Sequence, residues 1–113
     1  MTYQEIKNLI QLLAGLLNVP FAYYQFEEET SPPFLVFNYP DSDDFYADNV
    51  NYQGKTNLDI YYCSDEKDFA AEKAIEAFLK NNGIAYSKSQ DYIDTDAMFQ
   101  TLYQTEVFIN EQS

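Results

Sequence analysis

The chain has no histidine, no arginine and no tryptophan, one cysteine and only three glycines. Each absence removes a class of function. Without histidine there is no imidazole to serve as a general base near neutral pH or to activate a serine or cysteine nucleophile. Without arginine the forked, bidentate recognition of phosphate is lost. Six lysines against 19 acidic residues, a net charge of -13, leave little to displace counterions from a nucleic acid. A lone Cys63 excludes an internal disulfide, suits a reducing interior and reads as a small packed residue. Three glycines supply no phosphate-cradling loop, and no G-x-S-x-G nucleophile turn is present. The opening Met-Thr-Tyr-Gln-Glu-Ile lacks the basic start and apolar core of a secretion signal. The longest apolar run falls far short of the roughly 20 residues a membrane helix needs. The expectation is a soluble, intracellular protein that binds or assembles, with no catalysis, no cofactor and no membrane partner.

What the chain does have is 11 Tyr and 9 Phe within a hydrophobic fraction of 46%, in 113 residues. That suffices for one core without disulfide or metal staples, so residues 1–113 read as a single domain. Thr2 and Glu5 have capping-box spacing, which starts a helix at about residue 3. Tyr3, Ile6, Leu9, Ile10, Leu13, Leu16 and Leu17 form its apolar stripe, ending near Asn18 before Pro20.

Phe21 to Phe26 and Phe34 to Tyr39 read as two strands, separated by Glu27-Glu28-Glu29 and Pro32-Pro33, and pairing as a hairpin. Asp41-Ser42-Asp43-Asp44 is an acidic loop, and Phe45 to Gln53 an irregular strand broken near Gly54. Asn57 to Cys63 alternates as a clear strand. Ser64-Asp65 offers N-cap chemistry for a second helix, with Ala71, Ala74, Ile75, Phe78 and Leu79 as core stripe and Asn82-Gly83 as stop. Glu76 and Lys80 have i,i+4 ion-pair spacing. Phe69 does not fit: it projects with Glu72, Lys73 and Glu76 on the polar side, as a folded-over helix start or a partner contact. Ile84 to Lys88 is a short strand, Gln90 to Asp96 a polar turn, and Ala97 to Ile109 the long closing strand. The sum is an α+β fold, a mainly antiparallel sheet of about five strands with two helices packed on one face.

Two chemical readings fail on pattern. Asp41, Asp43, Asp44 and Asp48 lack the central Gly and terminal Glu of a calcium loop, so no metal is expected. Sheets that stack bases pair their aromatics with basic residues, whereas Tyr46, Tyr52, Tyr61 and Tyr103 stand among Asp, Asn and Gln. These aromatics read as core, cross-strand pairs or protein anchors. An exposed sheet edge offers a further contact, able to accept a strand from another chain.

The stretch Tyr46-Ala47-Asp48-Asn49-Val50-Asn51-Tyr52-Gln53-Gly54-Lys55-Thr56-Asn57-Leu58-Asp59-Ile60-Tyr61-Tyr62 leads into an acidic-capped helix and is followed by Tyr92-Ile93-Asp94-Thr95-Asp96-Ala97-Met98-Phe99-Gln100-Thr101-Leu102-Tyr103. In arrangement and style of sequence this resembles the tail-terminator (tail-completion) and head–tail joining proteins of long-tailed phages and prophages of Gram-positive bacteria. The resemblance implies an α+β protomer that closes into a homohexameric ring on the tail tube. Its partners would be itself, the tail-tube protein and the head connector, with DNA passing through without specific binding. It implies residence in the bacterial cytoplasm during assembly and then in the virion, and no catalytic residues. Asp41, Asp43, Asp44, Phe45 and Tyr46, with Gly54, Lys55 and Thr56, are nominated as exposed loop contacts beside Phe69. Two rivals stay open: an acidic decoy that imitates DNA, and an adaptor for an unrelated intracellular partner.

Overall fold

A computed structural model describes residues 1–40 and 53–110. Helix α1 (Tyr3–Leu17) begins as the sequence indicates. The Thr2 hydroxyl accepts the Glu5 N–H at 3.1 Å, and the Glu5 carboxylate accepts the Thr2 N–H at 2.8 Å. The chain then forms β1 (Phe21–Tyr23), β2 (Phe34–Asn38), β3 (Gln53–Ser64), helix α2 (Phe69–Asn81), β4 (Tyr86–Ile93) and β5 (Met98–Asn110). The five strands make one mixed, mostly antiparallel sheet in the order β1-β2-β3-β5-β4.

Both helices stop through left-handed residues. Asn18 (φ 56) donates to Gly15 O, and Val19 N–H reaches Ala14 O at 3.0 Å. Gly83 (φ 70) donates to Lys80 O, and Ile84 N–H reaches Leu79 O at 2.9 Å. In each case the orphan carbonyls of the last turn are taken up by a chain that has already changed direction.

The core lies between the two helices and one face of the sheet. Ile6, Ile10 and Leu13 of α1 and Ile75 and Leu79 of α2 meet Leu35, Leu58, Ile60, Tyr62, Tyr103 and Ile109. Along β5 the residues Thr101, Tyr103, Thr105, Val107 and Ile109 are all buried while Gln104, Glu106 and Phe108 are exposed, the strict alternation of a strand covered on one side.

Several local expectations are corrected. β1 ends at Tyr23, because Tyr24 turns left-handed (φ 69), and it runs parallel to β2, so the two are not a hairpin. The intervening residues 24–33 carry the chain back along the sheet before β2 starts. β3 is continuous through Gly54, whose positive φ of 154 a glycine adopts without strain, and pairs residue by residue with β5 from Gln53↔Asn110 to Ser64↔Phe99. Gly54, Lys55 and Thr56 therefore belong to a strand and not to a loop. A thirteen-residue partner holds β3 extended where local pattern alone shows a break. Helix α2 starts four residues later than Ser64-Asp65 suggests: Asp68 is its cap, accepting the Ala71 N–H at 3.0 Å and the Tyr62 hydroxyl at 2.9 Å. β4 extends to Ile93, and the turn is Asp94–Ala97, closed by Ala97 at φ 51. Leu16 and Ala74, assigned to core stripes, are exposed.

Candidate functional site

The register fixes which loops share an end of the sheet. The start of β2, the end of β3, the end of β4 and the start of β5 lie together, since Phe34 faces Cys63, Ser64 faces Phe99 and Ile93 faces Met98. Asp65, Glu66 and Asp68 follow β3 at this end, and Asp94 and Asp96 form the β4–β5 turn. Glu27, Glu28 and Glu29 join them: Phe26 packs edge-on against Phe34 at 5.2 Å, and Pro33 lines a 390 Å³ hollow with Ser64, Asp65, Glu66, Lys67 and Asp68. Among the described residues, these carboxylates, scattered in sequence, thus share one end of the sheet.

Phe69 stands at that acidic end as the first residue of α2. It is 66% exposed, with the Lys67 ammonium 4.9 Å from its ring centre. The ring is not folded over onto the core. Asp41, Asp43, Asp44, Phe45 and Tyr46, together with Asp48, lie outside the described residues. Gly54 and Lys55 sit in β3, where Lys55 faces solvent and reaches Glu106 at 3.8 Å between two exposed side chains, a weak pairing. Thr56 is 8% exposed opposite Val107 and cannot serve as a surface contact.

The helix layer carries a feature that the sequence reading missed. Leu12 and Leu16 are 63% and 71% exposed on the outer side of α1. With Asn8, Gln11, Gly15 and Phe78 they line an open apolar groove of about 820 Å³. Gly15 is open on this side: a Cβ built there meets nothing within 4 Å. The signal was available, because at about 100° per residue Leu16 falls well away from the direction set by Ile6, Ile10 and Leu13.

Charge on this layer is handled differently from the acidic end. Glu72, expected on the polar side, is 3% exposed. Its carboxylate meets Lys88 Nζ at 2.6 Å and Lys67 Nζ at 3.0 Å, and accepts from Gln90 Nε2 at 3.2 Å. Burial opposes its ionisation, but the hydrogen bonds from Lys88, Lys67 and Gln90 prevail and hold the carboxyl below its usual value. Glu76 pairs with Lys88 at 2.7 Å, and not with Lys80, and accepts the Tyr103 hydroxyl at 3.0 Å. Hydrogen bonds to Glu72 and Glu76 in turn raise the pKa of Lys88. Among the described residues Lys7, Lys73 and Lys80 form no ion pair, and all three are exposed on α1 or α2.

Chemistry at the remaining candidates is limited. Cys63 is buried at 3% exposure, as its reading as a packed residue requires, and burial followed by the charge of Asp96 pushes its thiol up to about 11. It is protonated at neutral pH and is no nucleophile. Among the described residues no cluster of three or more His, Cys, Asp or Glu is arranged to hold a metal, and no helix is long and apolar enough to cross a membrane. The chain matches no protein-family model and none of the curated proteins.

Proposed function

We propose that the chain is a structural assembly protein, a tail terminator or head–tail joining component of a long-tailed phage or prophage, which closes as a homo-oligomeric ring, caps the tail tube and performs no catalysis. The observation that carries this reading is the segregation of charge. Among the described residues of this chain of net charge -13, the helix layer holds an open apolar groove and, elsewhere on the helices, the exposed Lys7, Lys73 and Lys80 without an ion pair, while carboxylates collect at one end of the sheet. Self-repulsion opposes association of such a chain except where apolar surface and low local charge coincide. Two different patches on one chain form a heterologous interface, and such interfaces give rings when the rotation closes. The acidic ends would then face a common side, an anionic margin past which DNA slides without sticking. The resemblance in sequence style to tail-terminator proteins agrees with this. The test is to add the purified chain to polymerising tail-tube protein and measure tube lengths by electron microscopy. A capped, length-limited population with density at tube ends is expected; unaltered lengths with bare ends contradict the role.

The same acidic end also suits a second reading, a decoy that imitates DNA. It requires carboxylates spaced like phosphates along a face. Competition between the chain and duplex DNA for a DNA-binding protein would favour it, and absence of competition would remove it.

A further inference from the structure

The outer margin of β4 is a free sheet edge that lacks the usual protection. β4 ends the strand order, and among the described residues it pairs with β5 alone, residue by residue from Tyr86↔Thr105 to Ile93↔Met98. It holds no proline and no bulge, and its one lysine is taken up: Lys88 Nζ lies 2.6 Å from Glu72 and 2.7 Å from Glu76. Asp91 is the charge that remains, and by strand alternation it points to the face away from α2. Along its eight residues the strand presents outward backbone donors and acceptors to an added strand.

Helix α2 forms a shelf along this edge. At about 100° per residue Phe69, Lys73, Glu76 and Lys80 fall within about 60° of one another, on the flank that meets β4. Contacts along the helix fix that placement. Lys67 Nζ, 4.9 Å from the Phe69 ring centre, bonds Gln90 at 2.6 Å, and Glu76 meets Lys88. Lys80 shares with Ala77, Ile84, Ala85 and Tyr86 an open hollow of about 570 Å³. Glu72 and Glu76 are taken up by Lys67 and Lys88, so Lys73 and Lys80 stand in excess, exposed and without an ion pair among the described residues. In a chain of net charge -13 this flank is locally cationic.

We infer that the edge of β4 accepts an extended segment of a partner protein, which sets carboxylates against Lys73 and Lys80 and an apolar side chain in the hollow beside Tyr86. Main-chain pairing supplies the affinity, and the alternate side chains that face α2 supply the choice of partner. Charge selects against a second copy as the donor. Antiparallel pairing through its own β4 would keep both helix layers on one side and turn the two lysine flanks toward each other. The inference goes beyond the ring reading and does not depend on it.

The probe is a terminally capped octapeptide, Leu-Thr-Glu-Thr-Glu-Thr-Leu-Thr, whose leucines and glutamates share one face and read alike in either strand direction. It is added to the full chain in about 0.15 M salt, where charges more than about 8 Å away are largely screened. Amide hydrogen exchange along β4 is followed by NMR. Two control peptides replace both glutamates by lysine, or the threonine between them by proline. Exchange in β4 should slow with the glutamate peptide and stay unchanged with the proline peptide, and the lysine peptide should bind about tenfold more weakly or worse. The double variant Lys73→Glu, Lys80→Glu changes exposed residues outside any ion pair, so it should unfold as wild type does while binding the glutamate peptide about tenfold more weakly. Unchanged exchange in β4, or equal binding of the two charge forms, overturns the inference. Amides of β4 that are protected before any peptide is added, and released on dilution, would mean that a second copy holds the edge, which overturns it as well.

Discussion

Lys88 and Glu72 meet at 2.6 Å across the gap between the edge strand β4 and helix α2, and the carboxylate that receives the lysine is all but sealed from solvent. Lys67 approaches Glu72 from the loop before the helix, and Gln90, two residues along β4 from Lys88, completes the set while bonding Thr101 at 2.7 Å. The group ties an otherwise exposed edge strand to the helix layer. It also turns Lys88 inward, away from the strand edge where a lysine would discourage pairing.

Replacing Glu72 by Gln should destabilise the chain by about 2 kcal/mol, since it leaves Lys67 without its carboxylate and Lys88 with Glu76 alone in a partly shielded site. The pH dependence has a definite sign. The folded pKa of Glu72 is depressed below 4.5, so its contribution is present above that value and is lost as pH falls through the folded pKa. Urea melts from pH 7 to pH 3 should show the difference between wild type and Glu72→Gln shrinking on acidification. A difference that is constant or grows would contradict the assignment.

Two leucines three positions apart on α1 should behave oppositely. Leu13 is fully buried, and Leu13→Ala should cost about 3 kcal/mol. Leu16 is 71% exposed, and Leu16→Ala should change monomer stability by less than about 0.5 kcal/mol. Denaturant midpoints of the two variants at low concentration provide the check.

The Thr2 hydroxyl caps the first turn of α1, so Thr2→Ala should cost about 1 kcal/mol. Amide exchange should quicken in the first turn, with the centre of the helix much less affected. Uniform acceleration along α1 would place the effect elsewhere.

Cys63 should be slow toward a disulfide reagent. With its thiol near 11, against about 8.5 for a free cysteine, the thiolate fraction at pH 7 falls by roughly 100-fold or more. Reaction should be slow in buffer and rapid in denaturant; equal rates would mean that the thiol is exposed.

The α+β class, both helices and the alternation of β5 were legible because each is written in local pattern: a capping box, two apolar stripes and a long run of period two. What stayed hidden depends on residues far apart in sequence. β3 passes straight through Gly54 because β5 pairs with it, and Glu72 is buried because Lys88 arrives from a strand that follows the helix in sequence. β1 is parallel to β2 because Tyr24 turns left-handed and the following residues return along the sheet, where adjacency alone suggests a hairpin. Of the nominated contacts, Phe69 stands out as exposed and Thr56 is withdrawn into the strand. The apolar groove is hard to see in the sequence because Leu16 has helical spacing from Leu13, while its angle to the whole buried stripe turns it outward.

The claim that this chain assembles with itself is tested most directly by its mass in solution. Light scattering at high protein concentration, in about 0.15 M and then about 0.5 M salt, screens the repulsion between chains of charge -13 to different degrees. The account predicts one closed species, a fixed multiple of 13.2 kDa corresponding to six chains, at least as well populated at the higher salt. A mass of 13.2 kDa under both conditions, or an open-ended distribution of sizes, would contradict it.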